Sequence, residues 1–198
     1  CENNPARGHP RRPLNNARER FLTAEEAERL RMAAAQSMNT QLLPIVQLLL
    51  LTGARKRELL DSKWENFDIE RKLWLIPTSK TGKPRHVPLS SAAVRVIEGL
   101  PRFQGCPWLV PNPETKKPFQ SIKKSWQVAT KVAKLSGLRI HDLRHSHASF
   151  LAASGVPLFT IGKVLGHANV ASTARYSHLS MAELHAAVEA GAAKQNAA

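Results

Sequence analysis

The sequence predicts a mainly α-helical domain with a small antiparallel β-sheet, an α+β class. Three observations carry that expectation. Thr23-Ala24-Glu25-Glu26 and Ser180-Met181-Ala182-Glu183 are capping boxes, in which a hydroxyl and a carboxylate three residues on satisfy open backbone donors at a helix start. Helix-length segments follow one another along most of the chain. Between them, Leu73-Trp74-Leu75-Ile76 and Arg85-His86-Val87-Pro88 flank a Lys80-Thr81-Gly82-Lys83 turn, the pattern of a β-hairpin.

The elements follow in order. Residues 1–20 carry Asn, Pro, Gly and Arg without a hydrophobic period and read as a linker or arm. A helix runs from the Thr23 cap to about Gln36. Residues 41–52 form a nearly all-apolar buried helix, which tolerates Pro44 only because it falls in the first turn. Gly53 breaks that pattern before a short helix at Lys56–Leu60. After the hairpin, Ser90 or Ser91 caps a helix to Leu100, and a Pro-rich loop leads to Phe119. Helices are then expected near 121–135, 141–153, 158–165 and 170–177, with a last one opening at Ser180. Trp64, Trp74 and Trp126 are core candidates, and Trp108 falls in a loop. The domain plan is an arm over 1–20, one domain over 21–179, and a C-terminal helix and tail over 180–198.

Composition narrows the function. The chain has 198 residues, enough for one well-buried domain, and its 42% hydrophobic content argues against wholesale disorder. Its longest apolar run is far short of a membrane span. Cys1 and Cys106 are the only cysteines, so a disulfide framework is not expected and a reducing, cytoplasmic setting is. A first residue other than Met reads as a piece of a longer protein. The formal charge is +14, and from Lys116 to Arg175 ten basic residues face one acid, Asp142. A surface of that kind attracts a polyanion, of which nucleic acid is the usual one.

The chemistry gathers around a single tyrosine, Tyr176. It lies in Leu165-Gly166-His167 … Arg175-Tyr176-Ser177-His178, downstream of His141-Asp142-Leu143-Arg144-His145-Ser146-His147. Earlier stand Thr52-Gly53-Ala54-Arg55-Lys56-Arg57-Glu58 and, on the hairpin, Ser79-Lys80-Thr81-Gly82. Here the chain resembles the tyrosine recombinase, or phage integrase, family, with the motifs in the family's order from Arg20 to about His178. That resemblance implies the fold of DNA breaking-rejoining enzymes and site-specific DNA recombination or integration through a 3′-phosphotyrosyl intermediate. Double-stranded DNA is the implied partner, with neither metal nor ATP required.

Physics fits these roles. Cleaving a phosphodiester builds negative charge on the non-bridging oxygens, and arginine forks bind such oxygens bidentately while staying charged. Arg55 and Arg144 are the expected clamp, with His141 and His167 adding donors and Glu58 orienting the cations. Tyr176 is the expected nucleophile, which must lose its proton to a cationic site or a neighbouring base. Lys80 is the expected acid for the leaving 5′ oxygen, with Lys83 as its competitor. His145, His147 and His178 read as scaffold that caps, packs or bonds locally.

Each of these residues also fits a plainer or a rival role. The plainer reading of Arg55 and Glu58 is a surface i,i+3 pair. His141 and His145 share the i,i+4 spacing of a zinc helix, with His147, His167 or His178 as a third ligand, which would make a zinc hydrolase. The basic charge also suits a DNA-binding module without catalysis, and a type IB topoisomerase-like enzyme would use nearly the same chemistry. Met181, Leu184 and Val188 recur as one apolar stripe after the second capping box. With the resemblance, that stripe implies a tail passed between copies, giving a tetramer on DNA and mostly monomer without it.

Overall fold

The computed structural model describes residues 20–78, 84–167, 169, 171–179 and 188–189. The expected mainly helical architecture with a small sheet is what it contains. Helices α1 (Ala24–Ala35), α2 (Leu42–Thr52) and α3 (Lys56–Leu60) precede the strands β1 (Phe67–Asp68), β2 (Leu73–Ile76) and β3 (Arg85–Pro88). Then come α4 (Ser91–Glu98), α5 (Lys123–Val132), α6 (Asp142–Ala153), α7 (Leu158–Leu165) and α8 (Ala171–Ala174). Among the described residues no helix is long and apolar enough to cross a membrane.

Local chemistry sets the boundaries. Thr23 Oγ1 accepts from Glu26 N–H, while the Glu26 carboxylate accepts from Thr23 N–H, both at 3.2 Å. Arg20 then grips both Glu26 oxygens at 2.9 and 2.8 Å, so the entry to α1 is pinned on both sides. Leu22 N–H donates to Ser146 Oγ on α6 at 2.8 Å, which ties this entry to the far half of the chain. Helix α2 buries Leu42, Ile45, Val46, Leu48 and Leu49, and packs against α1, α4 and α6. That is why its sequence is apolar nearly all round.

The sheet order is β1-β2-β3, all antiparallel. Trp74 pairs with Val87 and Ile76 with Arg85, so these four side chains share the inner face. Arg85 thus carries a cation onto the buried side of the sheet. Strand β1 has only two residues, too few for an alternating pattern, and has no counterpart in the sequence expectations. Of the core candidates, Trp74 and Trp126 are buried, whereas Trp64 is half-buried under the guanidinium of Arg102. The helix expected over 170–177 is shorter: α8 stops at Ala174, and a 3-10 turn at Ser177–Leu179 follows Tyr176.

Gly53 ends α2 at φ +60°, where a side chain is strained. A Cβ there would lie 2.6 Å from the His147 ring on α6 and 2.7 Å from Leu165 on α7. Only glycine lets the end of α2 sit against both helices. A main core spans α1–α6 and the sheet, and a second cluster joins Ala148, Ala152, Ile161, Leu165 and Tyr176. The candidate site lies where the end of α2, the start of α6 and this second cluster meet.

Candidate active site

Arg144 is set by two helix ends. Its guanidinium donates to the Gly53 carbonyl at 2.7 Å and to the Leu165 carbonyl at 2.6 Å. Those oxygens terminate α2 and α7, so the cation sits at the negative end of two helix dipoles. The residue is only 4% exposed. Burial, then the like charges of Arg55 and Arg85, pull its pKa down to about 10, which leaves it cationic at neutral pH.

Glu58 is the anionic node. Its carboxylate accepts from the Arg55 guanidinium at 2.7 Å, from Arg55 N–H at 2.8 Å and from the Arg85 guanidinium at 2.8 Å. Burial works against this carboxylate, but the Arg55 N–H and the Arg85 and Arg55 charges outweigh it and hold its pKa below the ordinary value. Its side chain is 6% exposed and that of Arg55 is half-buried, so the surface-pair reading is corrected: the carboxylate is turned inward and shared with Arg85. No sequence motif singles out Arg85. It also donates to the Val164 carbonyl at 3.3 Å and lies against Gly166, whose missing side chain leaves it room.

Tyr176 is 4% exposed. Burial raises its pKa above the ordinary value, against the pull of Arg175 and Arg144. Its hydroxyl lies 2.6 Å from His145 Nδ1. His141 meets His145 edge to face, with centroids 5.0 Å apart. His167 Nδ1 is held by Thr173 Oγ1 at 2.8 Å, which leaves Nε2 as its other polar atom. Burial, then Arg144, lower the pKa of both His141 and His167, the latter to about 4. Arg144 therefore lies within electrostatic reach of Arg55, His141, His167 and Tyr176. Lys80, the expected acid, and its competitor Lys83 lie outside the described residues, as do residues 180–187, where the last helix is expected to begin.

His145 is the residue that sequence reasoning misses. Its sequence context suggests scaffold, yet it contacts the phenol directly. His147 behaves as expected of scaffold, with Nδ1 on the Leu50 carbonyl at 2.8 Å. Among the described residues, no group of three or more His, Cys, Asp or Glu is arranged to hold a metal ion. The zinc reading of His141 and His145 thus finds no ligand set there.

The imidazoles make stability pH-dependent. The pKa values of His141, His145, His147 and His167 are all lowered by burial from an ordinary 6.5, those of His145 and His167 to about 4. The unfolded chain therefore binds more protons than the folded one between these values, so stability falls as pH drops from about 6.5 towards 4. Urea unfolding midpoints should decrease from pH 7 to pH 5, above the range where the carboxylates titrate. His145→Asn should flatten part of that slope.

A basic, mainly helical domain that sets a buried phenol against an imidazole, with a buried guanidinium held at two helix ends, fits the catalytic domain of a tyrosine recombinase. The profile of the phage integrase family matches residues 20–183, and the chain belongs to that family. It is 29% identical over 192 residues to the shufflon-specific DNA recombinase of Escherichia coli, covering 96% of this chain and 48% of that protein. It is 32% identical over 173 residues to the tyrosine recombinase XerA of Pyrococcus horikoshii, covering 85% of this chain and 60% of that protein. The chain thus spans about half the length of the curated relatives it matches. The solved catalytic domain of bacteriophage HP1 integrase superposes with a TM-score of 0.68 at 27% identity, over 85% of this chain and 93% of that one.

Proposed function

We propose that this chain cuts and rejoins double-stranded DNA at specific sites, with Tyr176 as nucleophile and a 3′-phosphotyrosyl intermediate. The observation that carries the reading is the solitary buried phenol beside Arg144, a guanidinium fixed by two helix ends. In this reading Arg55 and Arg144 hold the non-bridging oxygens of the scissile phosphate. Their positions are fixed in advance by Glu58 and by the Gly53 and Leu165 carbonyls, so they need little reorganisation as charge develops. His141 and His167, neutral at working pH, each offer an N–H donor. Oη bonds to phosphorus as the bond to the 5′ oxygen breaks, and Lys80 protonates that oxygen. The ester linkage to Tyr176 keeps the strand energy, so a free 5′ hydroxyl can reverse the step without ATP or metal. Copies of the chain assemble as a tetramer on paired sites, joined by the tail after Tyr176, and the domain alone is mostly monomeric, since a narrow apolar stripe offsets little association entropy.

The acid role is tested by leaving-group chemistry. Lys80→Ala should slow formation of a covalent protein–DNA adduct by about a hundredfold. A 5′-bridging phosphorothiolate should restore most of the rate, because a thiolate leaves without a proton. Equal slowing on both substrates would assign Lys80 to binding, and rescue of Lys83→Ala instead would move the acid three residues along. An adduct that requires added divalent metal would count against the whole mechanism.

A further inference from the structure

The cleavage step leaves the proton of Tyr176 without a destination. We propose that His145 is a further catalytic residue, whose Nδ1 accepts the hydrogen bond of the Tyr176 hydroxyl and takes that proton as Oη bonds to phosphorus. This rests on the reading of Tyr176 as nucleophile and adds the base that reading lacks.

The geometry is direct. Oη and Nδ1 are 2.6 Å apart, with ring centroids at 6.2 Å. A buried hydroxyl whose proton meets no acceptor is penalised, and the acceptor beside this one is Nδ1. Nδ1 can accept only when the ring is neutral and carries its proton on Nε2. The groups around the ring favour that state. Burial, then His141 and Arg175, push its pKa down to about 4, with Arg144 adding to the effect and Asp142 opposing it. At neutral pH the acceptor is free to act.

Position in the helix adds to the argument. His145 follows Arg144 directly, so one turn of α6 presents both the phosphate-binding fork and the proton acceptor. His141, four residues earlier on the same face, packs edge-on against His145. During attack the Oη–P bond forms, the bond from phosphorus to the 5′ oxygen breaks, and the Oη proton moves to Nδ1. The 5′ oxygen takes its proton from the acid. A weakly basic imidazole suffices because the phenolic oxygen loses its hold on the proton as it becomes an ester oxygen. The incoming phosphate charge also stabilises the imidazolium.

Two measurements on the full chain test this. Nitrogen NMR of labelled histidines reads the tautomer without DNA. The expected result is an unprotonated, hydrogen-bonded Nδ1 at neutral pH that changes in Tyr176→Phe. A proton on Nδ1, or no response to that substitution, overturns the proposal. Adduct formation is then followed on nicked duplexes tiled across the DNA flanking the coding sequence, carrying 5′-bridging phosphorothiolates so that no acid is needed. His145→Asn keeps a polar group near the Nδ1 position but is not basic. It should be slower by about a hundredfold, with a rate that rises about tenfold per pH unit where the unsubstituted chain is flat. Added imidazole should speed His145→Gly and leave the unsubstituted chain unchanged. A His145→Asn rate equal to that of the unsubstituted chain, or equal slowing at every pH without imidazole rescue, overturns the base role. An adduct that persists in Tyr176→Phe, or a chain that cuts none of the duplexes, counts instead against the nucleophile reading, and the NMR result still decides the hydrogen bond.

Discussion

Tyr176→Phe should abolish the covalent protein–DNA adduct while the domain stays folded and binds DNA. Tyr176 is the chain's single tyrosine, so no neighbouring phenol can take its place. The substitution removes one hydroxyl and keeps the ring, which packs with Ala148, Ala152, Ile161 and Leu165. The lost hydrogen bond to His145 costs about 1 kcal/mol of stability, well within what a domain of this size tolerates. The adduct is read on a denaturing gel with a nicked duplex, and DNA binding by gel shift under native conditions. A residual adduct in the variant would place the nucleophile elsewhere, and loss of both adduct and binding would point to misfolding, which a urea unfolding curve separates.

How much of the molecule is legible in its sequence follows from the range of each interaction. Helix starts are local: the Thr23 and Ser90 caps involve atoms within three residues, and α1 and α4 begin where those side chains dictate. The hairpin register is nearly as local, and the expected strand residues are those observed. Local signals fail where the contact is long-range. His145 meets Tyr176 across 31 positions, and its spacing from His141 suggests a zinc helix or scaffold instead. Arg85 reads as one more strand residue until β3 lays it beside Glu58, 27 positions away. A hint does exist, since Arg85 sits opposite Ile76 and an inward-facing arginine demands a buried acid. Glu58 is legible as an organiser of cations, but its burial is not. The necessity of Gly53 likewise emerges only when α6 and α7 close on it.

Arg144→Ala should damage stability and catalysis together, and Arg144→Lys should separate the two. Removing the guanidinium strands the Gly53 and Leu165 carbonyls at the ends of α2 and α7, in a spot where the native residue is 4% exposed. Each orphaned acceptor costs about 1–3 kcal/mol, less whatever water recovers, so a net loss of about 2–4 kcal/mol is expected by urea unfolding. Cleavage should fall by about a hundredfold to a thousandfold, since a preorganised donor to the developing phosphate charge is typically worth about 3–4 kcal/mol of barrier. Lysine keeps the positive charge at the two helix ends, and so recovers part of the stability. Its single ammonium cannot reach both carbonyls and also fork two phosphate oxygens, so cleavage should remain at least about a hundredfold down. The diagnostic quantity is the ratio of the two losses across the pair of variants. If Arg144→Lys cleaves like the unsubstituted chain, the site needs only charge there, and two helix ends do not aim a fork at the phosphate.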